Sequence, residues 1–166
     1  SMKIKGIIFD FNGTLFEDSK LHEEAWRNYS KILRGTSFSD EEMQKYMFGR
    51  SNEEIITYAI GRKPTPEECL KWANEKEACY REMVLANPEC IHLVDGAEEF
   101  FDYICEKNIP HTIATGSEKT NVDFFIETFA VVLTLVGLEL ELGYERLTNI
   151  LIISLSLDKI PVPQLY

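Results

Sequence analysis

Positive charge is in short supply in this sequence: 17 Lys and Arg stand against 28 Asp and Glu, a formal net charge of −11. No basic cluster is available to neutralise a phosphate backbone, which argues against a nucleic-acid partner. A small phosphate would therefore have to be held by local donors rather than by a general field. Cysteine spacing is equally unhelpful to metal chemistry, because Cys69, Cys79, Cys90 and Cys105 form no CxxC pair. Cys69 and Cys105 fall on expected apolar helix faces and Cys79 adjoins one. Reduced core thiols are expected, not zinc ligands or disulfides. The longest apolar run, Ala130 to Leu138 with Thr134 inside it, is too short to span a bilayer. Ser1-Met2-Lys3 leads straight into the first expected strand with no signal-peptide pattern. A soluble, cytoplasmic protein without a membrane partner is the expectation. No internal repeat, low-complexity tract or disordered linker breaks the chain.

What is present is a chain of 166 residues, 45% hydrophobic, enough for one sizeable core or a small core with an inserted subdomain. Its focus is Ile7-Ile8-Phe9-Asp10-Phe11-Asn12-Gly13-Thr14-Leu15. The apolar run into Asp10 reads as a buried strand ending in a carboxylate, at the edge where open α/β sheets place ligands. Asn12-Gly13 then supplies a sharp turn, which leaves Asp10 and the following N–H groups facing one small volume. An aspartate there can serve as nucleophile or as magnesium ligand. The same Asn-Gly is also a hairpin signal, which would make Asp10 an ordinary turn residue. The return arm Thr14-Leu15-Phe16 is short, however, before Glu17-Asp18-Ser19 opens a helical pattern.

That pattern runs from Asp18 to about Leu85. Leu21, Ala25, Tyr29 and Ile32 form a stripe widened by Trp26 and Leu33. Ser39-Asp40-Glu41-Glu42, Ser51-Asn52-Glu53-Glu54 and Thr65-Pro66-Glu67-Glu68 are capping boxes, the last with proline at the first helical position. Cys69, Trp72, Ala73, Tyr80 and Met83 are the expected buried side of the helix that follows. Another helix opens at Asp95-Gly96-Ala97-Glu98, with Ala97, Phe100, Phe101 and Ile104 on one face. His111 to Thr115 reads as a second buried strand, and Gly116-Ser117 as the cap of a helix from Glu118 to about Thr128. Strand, helical insert, helix, strand, helix implies an α/β fold with a parallel sheet. The expected domains are a Rossmann-like core, 1–16 with 90–166, and a helical insert, 17–89. After Phe129 the composition shifts, and Leu138-Glu139-Leu140-Glu141-Leu142 and Ile150 to Ile153 read as strands. Residues 130–157 are too apolar to stay in solvent, so they are expected against the core or at a homodimer interface.

Phe9-Asp10-Phe11-Asn12-Gly13-Thr14-Leu15 resembles the first motif of the haloacid dehalogenase superfamily of phosphohydrolases, Asp-x-Asp-Gly-Thr-Leu. Ile113-Ala114-Thr115-Gly116-Ser117 resembles its second, and the helical insert stands where that family carries its cap domain. Leu21-His22-Glu23-Glu24-Ala25-Trp26 and Gly49-Arg50-Ser51 are similar to patterns of the β-phosphoglucomutase-like branch. The resemblance covers roughly residues 3 to 129. It implies that Asp10 attacks phosphorus to give an aspartyl-phosphate, with Asn12 in the acid/base position. It implies Mg²⁺ held by Asp10 and the main-chain carbonyl of Asn12. Phosphate would be bound by Thr115 and by the N–H groups near Gly13 and Gly116, with Lys119 a weaker contact. His22 is a candidate substrate contact from the cap, although an isolated helical histidine is more often a packing residue.

The chain departs from the pattern in three places. Asn12 replaces the second aspartate, and an amide neither gives nor takes the proton that phosphoryl transfer requires. The third motif, Lys-Pro-x-Pro-x-x-Tyr, has its counterpart in Lys159-Ile160-Pro161-Val162-Pro163-Gln164-Leu165-Tyr166, where Ile160 displaces the candidate phosphate-binding Lys159 by one position. The acidic fourth motif is absent, and the C-terminal part of the core is atypical or truncated. The expectation is a Mg²⁺-dependent phosphohydrolase or sugar-phosphate mutase acting on a small phosphorylated metabolite. The alternative is a catalytically impaired phosphate-binding homologue or a truncated form.

Overall fold

A computed structural model describes residues 6–129. The strands expected at 138–142 and 150–153, the apolar segment 130–157 and Lys159 lie outside the described residues. What is described divides into two compact units, one of residues 6–17 with 89–129 and one of Asp18–Pro88. Among the described residues no helix is long and apolar enough to cross a membrane.

The first unit is built on two parallel strands, β1 (Ile7–Phe9) and β2 (His111–Ile113). Ile7 pairs with His111, Ile8 with Thr112 and Phe9 with Ile113. Parallel neighbours need a long crossover, and here it contains the whole helical unit plus helix α5 (Ala97–Glu106). Phe9 packs its ring on Phe101, centroids 4.8 Å apart, and on Phe100 at 6.1 Å. After β2 comes α6 (Lys119–Thr128). Phe11, Phe16, Phe125 and Phe129 form an aromatic core: Phe11 meets Phe125 at 5.0 Å and Phe129 at 5.4 Å, and Phe16 meets Phe129 at 4.8 Å. Each such pair contributes about 0.5–1.5 kcal/mol beyond its area. The cluster ties the chain just after β1 to the helix after β2. One expectation fails here: Phe100 is 43% exposed, because only Ala97, Phe101 and Ile104 of α5 are buried.

The second unit is all helical: α1 (Ser19–Arg34), α2 (Asp40–Glu42), α3 (Asn52–Ile60) and α4 (Pro66–Ala86). All three capping boxes form. The Ser39, Ser51 and Thr65 hydroxyls accept from the N–H groups of Glu42, Glu54 and Glu68, and each glutamate accepts from the cap's own N–H. α1 and α3 end on Gly35 and Gly61, both in the left-handed conformation that favours glycine. Between α2 and α3 the chain widens into one π-helical turn, Met43–Met47, which seats both methionines in the core. That core is Trp26, Tyr29, Phe38, Met43, Met47, Ile55, Ile56, Ala59 and Ala73. Ile32, expected in the α1 stripe, is 72% exposed, and the face turns instead through Ala25, Trp26, Tyr29 and Ser30. Cys69 and Trp72 of α4 are only partly buried against this core.

Candidate active site

β1 ends at Phe9, whose carbonyl accepts from the Ala114 N–H at 2.6 Å. Asp10 and Thr115 therefore leave adjacent strands at one sheet edge. The next residues fold into a tight loop rather than a hairpin. The Phe11 carbonyl accepts from the N–H groups of Leu15 and Phe16, both at 2.9 Å, and the Gly13 N–H donates to the Phe16 carbonyl at 2.7 Å. Gly13 has φ +68°, the left-handed region that a β-carbon disfavours. Val94 anchors the loop by donating to the Leu15 carbonyl at 2.9 Å.

The loop presents Asp10 to solvent with two donors on its carboxylate. The Phe11 N–H reaches Oδ1 at 2.8 Å and the Thr14 hydroxyl reaches Oδ2 at 3.4 Å. Asn12 is half-buried, and its Oδ1 accepts from the Ser117 hydroxyl at 2.7 Å and the Thr115 hydroxyl at 3.2 Å. The Ser117 N–H donates back to Thr115 Oγ1 at 3.2 Å. Thr115 is buried, while Gly116 is exposed and a β-carbon on it would meet nothing within 4 Å. Asp10, Asn12, Thr115, Gly116 and Ser117 thus share one small region ahead of the N-terminus of α6, a place suited to an anion. Ser117 does not cap α6. Glu118 occupies that position without a side-chain bond, and the Ser117 hydroxyl donates to Asn12. Lys119, the first residue of α6, pairs with Asp123 at 2.7 Å.

The helical unit holds a second polar group of residues, which includes His22. Its ring stacks on Tyr80, centroids 3.8 Å apart. Its Nδ1 lies 3.0 Å from Lys76 Nζ and its Nε2 lies 3.3 Å from Asp18 Oδ2. An ammonium only donates, so Nδ1 accepts and the ring proton sits on Nε2, facing Asp18. The Tyr80 hydroxyl also donates to Asp18. Lys76 donates to Glu77 at 2.9 Å and lies 5.0 Å over the Trp26 ring, and Asn52 Nδ2 donates to Glu77 at 3.3 Å. Asp18, Lys76 and Glu77 are all buried. Sequence reasoning missed these three. The available signal was the α4 stripe Ala73, Lys76, Glu77, Tyr80, Val84, a core-facing helical spacing with two charges inside it.

The family profile described as haloacid dehalogenase-like hydrolase matches residues 7–135. A solved hydrolase of that superfamily from Entamoeba histolytica, family IA variant 3, is 36% identical with a TM-score of 0.71, over 77% of this chain and 56% of that one. CbbY from Rhodobacter sphaeroides, solved with xylulose-1,5-bisphosphate, is 21% identical with a TM-score of 0.60, over 76% of this chain and 57% of that one. A β-phosphoglucomutase from Clostridium difficile is 22% identical with a TM-score of 0.57, over 76% of this chain and 56% of that one. These last two likenesses are likenesses of fold. This chain spans little more than half the length of each of the three. No functionally curated protein matches it.

Proposed function

The chain belongs to the haloacid dehalogenase-like hydrolases, and from that premise we propose that it transfers phosphoryl groups from a small phosphorylated metabolite to Asp10. The observation that carries this reading is the placement of Asp10 and Thr115 at the ends of paired parallel strands, beside the start of α6. Phosphoryl transfer asks for positioning and charge neutralisation more than for elaborate covalent machinery. An exposed carboxylate oriented by the Phe11 N–H is suited to in-line attack. Thr115 and the backbone about Gly116 are suited to the phosphate oxygens. In this conformation the Gly13 N–H serves the loop itself.

Among the described residues no three His, Cys, Asp or Glu side chains gather for a metal. The site offers one carboxylate, Asp10, and the main-chain carbonyl of Asn12. That fits an ion that keeps most of its waters and completes its shell with substrate phosphate, as Mg²⁺ does. Asp10 and Asn12 would hold it, and when bound it offsets negative charge on the transferring group. The helical unit, inserted between β1 and β2, is proposed as a cap, with His22 its candidate substrate contact. The compartment proposed is the cytoplasm.

Asn12 favours a second reading, a phosphate-binding homologue with little turnover. Phosphate release from p-nitrophenyl phosphate, with and without Mg²⁺, tests the first. Release that depends on Mg²⁺ and disappears in Asp10→Ala supports it. Binding of inorganic phosphate without any release supports the second.

A further inference from the structure

We propose that Ser117 is a positioning residue for phosphoryl transfer, a clamp that holds the loop carrying Asp10 against the start of α6. The inference deepens the phosphoryl-transfer reading and rests on it. Two loops leave the sheet edge side by side, residues 10–16 after β1 and residues 114–118 after β2. The first supplies the exposed carboxylate and the second leads to the N-terminus of α6, so their spacing sets the distance from nucleophile to anion. Main-chain pairing joins them at their roots, where the Ala114 N–H donates to the Phe9 carbonyl at 2.6 Å. Farther out, side chains make the link.

Ser117 contributes to that link through both of its donors. Its hydroxyl donates to Asn12 Oδ1 at 2.7 Å, and its N–H donates to Thr115 Oγ1 at 3.2 Å. Thr115 Oγ1 in turn donates to the same Asn12 oxygen at 3.2 Å. The three bonds close a ring across the two loops. The Ser117 hydroxyl makes the shortest of them, and it stands on the residue directly before the Glu118 cap of α6. The loop of Asp10 is pinned beyond Asn12 as well, where the Val94 N–H donates to the Leu15 carbonyl. Only the acceptor oxygen of Asn12 enters the clamp, so other partners of Asn12 or Thr115 leave it unchanged. Its effect is on geometry and not on proton transfer. Geometry matters steeply here, since a misplacement of about 1 Å can cost about 10²-fold in rate.

Intact-mass spectrometry of the full chain with acetyl phosphate and Mg²⁺ tests this, with released phosphate assayed in parallel and the Asp10→Ala background subtracted. An Asp10 oxygen bonds to phosphorus, the bond from phosphorus to the acetate oxygen breaks, and acetate leaves with the electron pair. Label plus released phosphate therefore counts every transfer, whatever the later fate of the phosphoryl group. A folded Ser117→Ala should lose about tenfold to hundredfold in maximal rate, with half-saturation by acetyl phosphate within about threefold of the parent. Ser117→Thr keeps the hydroxyl and should recover most of the rate. In an Asn12→Ala background, Ser117→Ala should cost nothing further, because the two residues act through one bond. Should Ser117→Ala not fold, Ser117→Cys, near in size but a weaker donor, carries the same expectations. A folded variant at the parent rate, a loss confined to half-saturation, a loss that folded Ser117→Thr does not recover, or losses that multiply in the double variant would overturn the clamp and leave phosphoryl transfer standing. If the parent gives neither label nor phosphate above Asp10→Ala, from acetyl phosphate or from p-nitrophenyl phosphate, phosphoryl transfer itself fails, and the proposal with it.

Discussion

The buried pair Lys76–Glu77 gives a stability test that works from either side. Both side chains are almost fully enclosed, at 2% and 9% exposure, with Nζ to Oε1 at 2.9 Å. Taking one partner away removes the opposite charge nearest a buried one, a loss of about 3–5 kcal/mol. Lys76→Met and Glu77→Leu are each expected to fall in that range. The double variant removes both charges of the pair. It leaves His22 Nδ1 and Asn52 Nδ2 each short of one partner, at about 1–3 kcal/mol apiece. An apolar pair of similar volume offsets part of this, since such replacements are often neutral or stabilising by about 1–4 kcal/mol. The double variant should therefore be at least as stable as the weaker single variant. Urea denaturation followed by tryptophan fluorescence reads this directly, because both tryptophans, Trp26 and Trp72, lie in the helical unit. Single losses that add in the double variant to within about 0.5 kcal/mol would mean the two charges do not act as a pair, and the reasoning would fail.

Other expectations follow from the same contacts. Ser117→Ala removes the 2.7 Å bond to Asn12 and should lower stability by about 0.5–1.5 kcal/mol by chemical denaturation. Thr65→Ala breaks the capping box of α4 and should cost about 1 kcal/mol; circular dichroism melts of the full chain would show it. The Glu42 carboxyl is held well below the usual carboxylate range by the Arg34 guanidinium, the Ser39 N–H and the Tyr58 hydroxyl. A depressed folded value means this contribution is complete above the unfolded value, about 4.3, and fades as pH falls toward the folded one. Glu42→Gln should therefore flatten the acid limb of a stability–pH profile, and an unchanged limb would refute the assignment.

How much of this was legible depended on how local the cause was. The capping boxes at Ser39, Ser51 and Thr65 could be read outright, since hydroxyl and glutamate stand three residues apart and bond each other. Asp10 and Thr115 were legible as strand ends because an apolar run stops at each, and the observed register brings them together. The cap was placed one residue early, on Ser117 instead of Glu118, and the Ser117 bond to Asn12, 105 residues away in sequence, carries no local signal. Ile32 and Phe100 were misplaced for a related reason. Periodicity marks the face that an apolar residue prefers, but burial there also needs a partner surface. Lys76 and Glu77 were passed over because charges on a helix usually mark its solvated side. The single π-helical turn at Met43–Met47 carries no composition cue that separates it from an ordinary helical turn.

The Lys76 pair also bears on what the helical unit is for. A buried ion pair is a weak stabiliser, because removing two charges from water absorbs most of what their attraction returns. The tertiary structure around it could be kept by an apolar pair of like volume, so stability alone does not account for Lys76 and Glu77 inside the α4 stripe. The Lys76 ammonium, held by Glu77 and the Trp26 ring, instead fixes the His22 ring through Nδ1, which orients the candidate substrate contact of the proposed cap. If the unit acts as the proposed cap with His22 on the substrate, a folded Lys76→Met/Glu77→Leu variant should show weaker phosphoryl transfer. Loss of one hydrogen bond from a misoriented His22, about 0.5–1.5 kcal/mol, corresponds to roughly twofold to tenfold in kcat/KM. Labelling of Asp10 by acetyl phosphate, followed by intact mass against ligand concentration, measures that loss. A double variant that is folded and labels at the parent rate would show that the pair serves packing alone, and that Lys76 does not position His22 for the substrate.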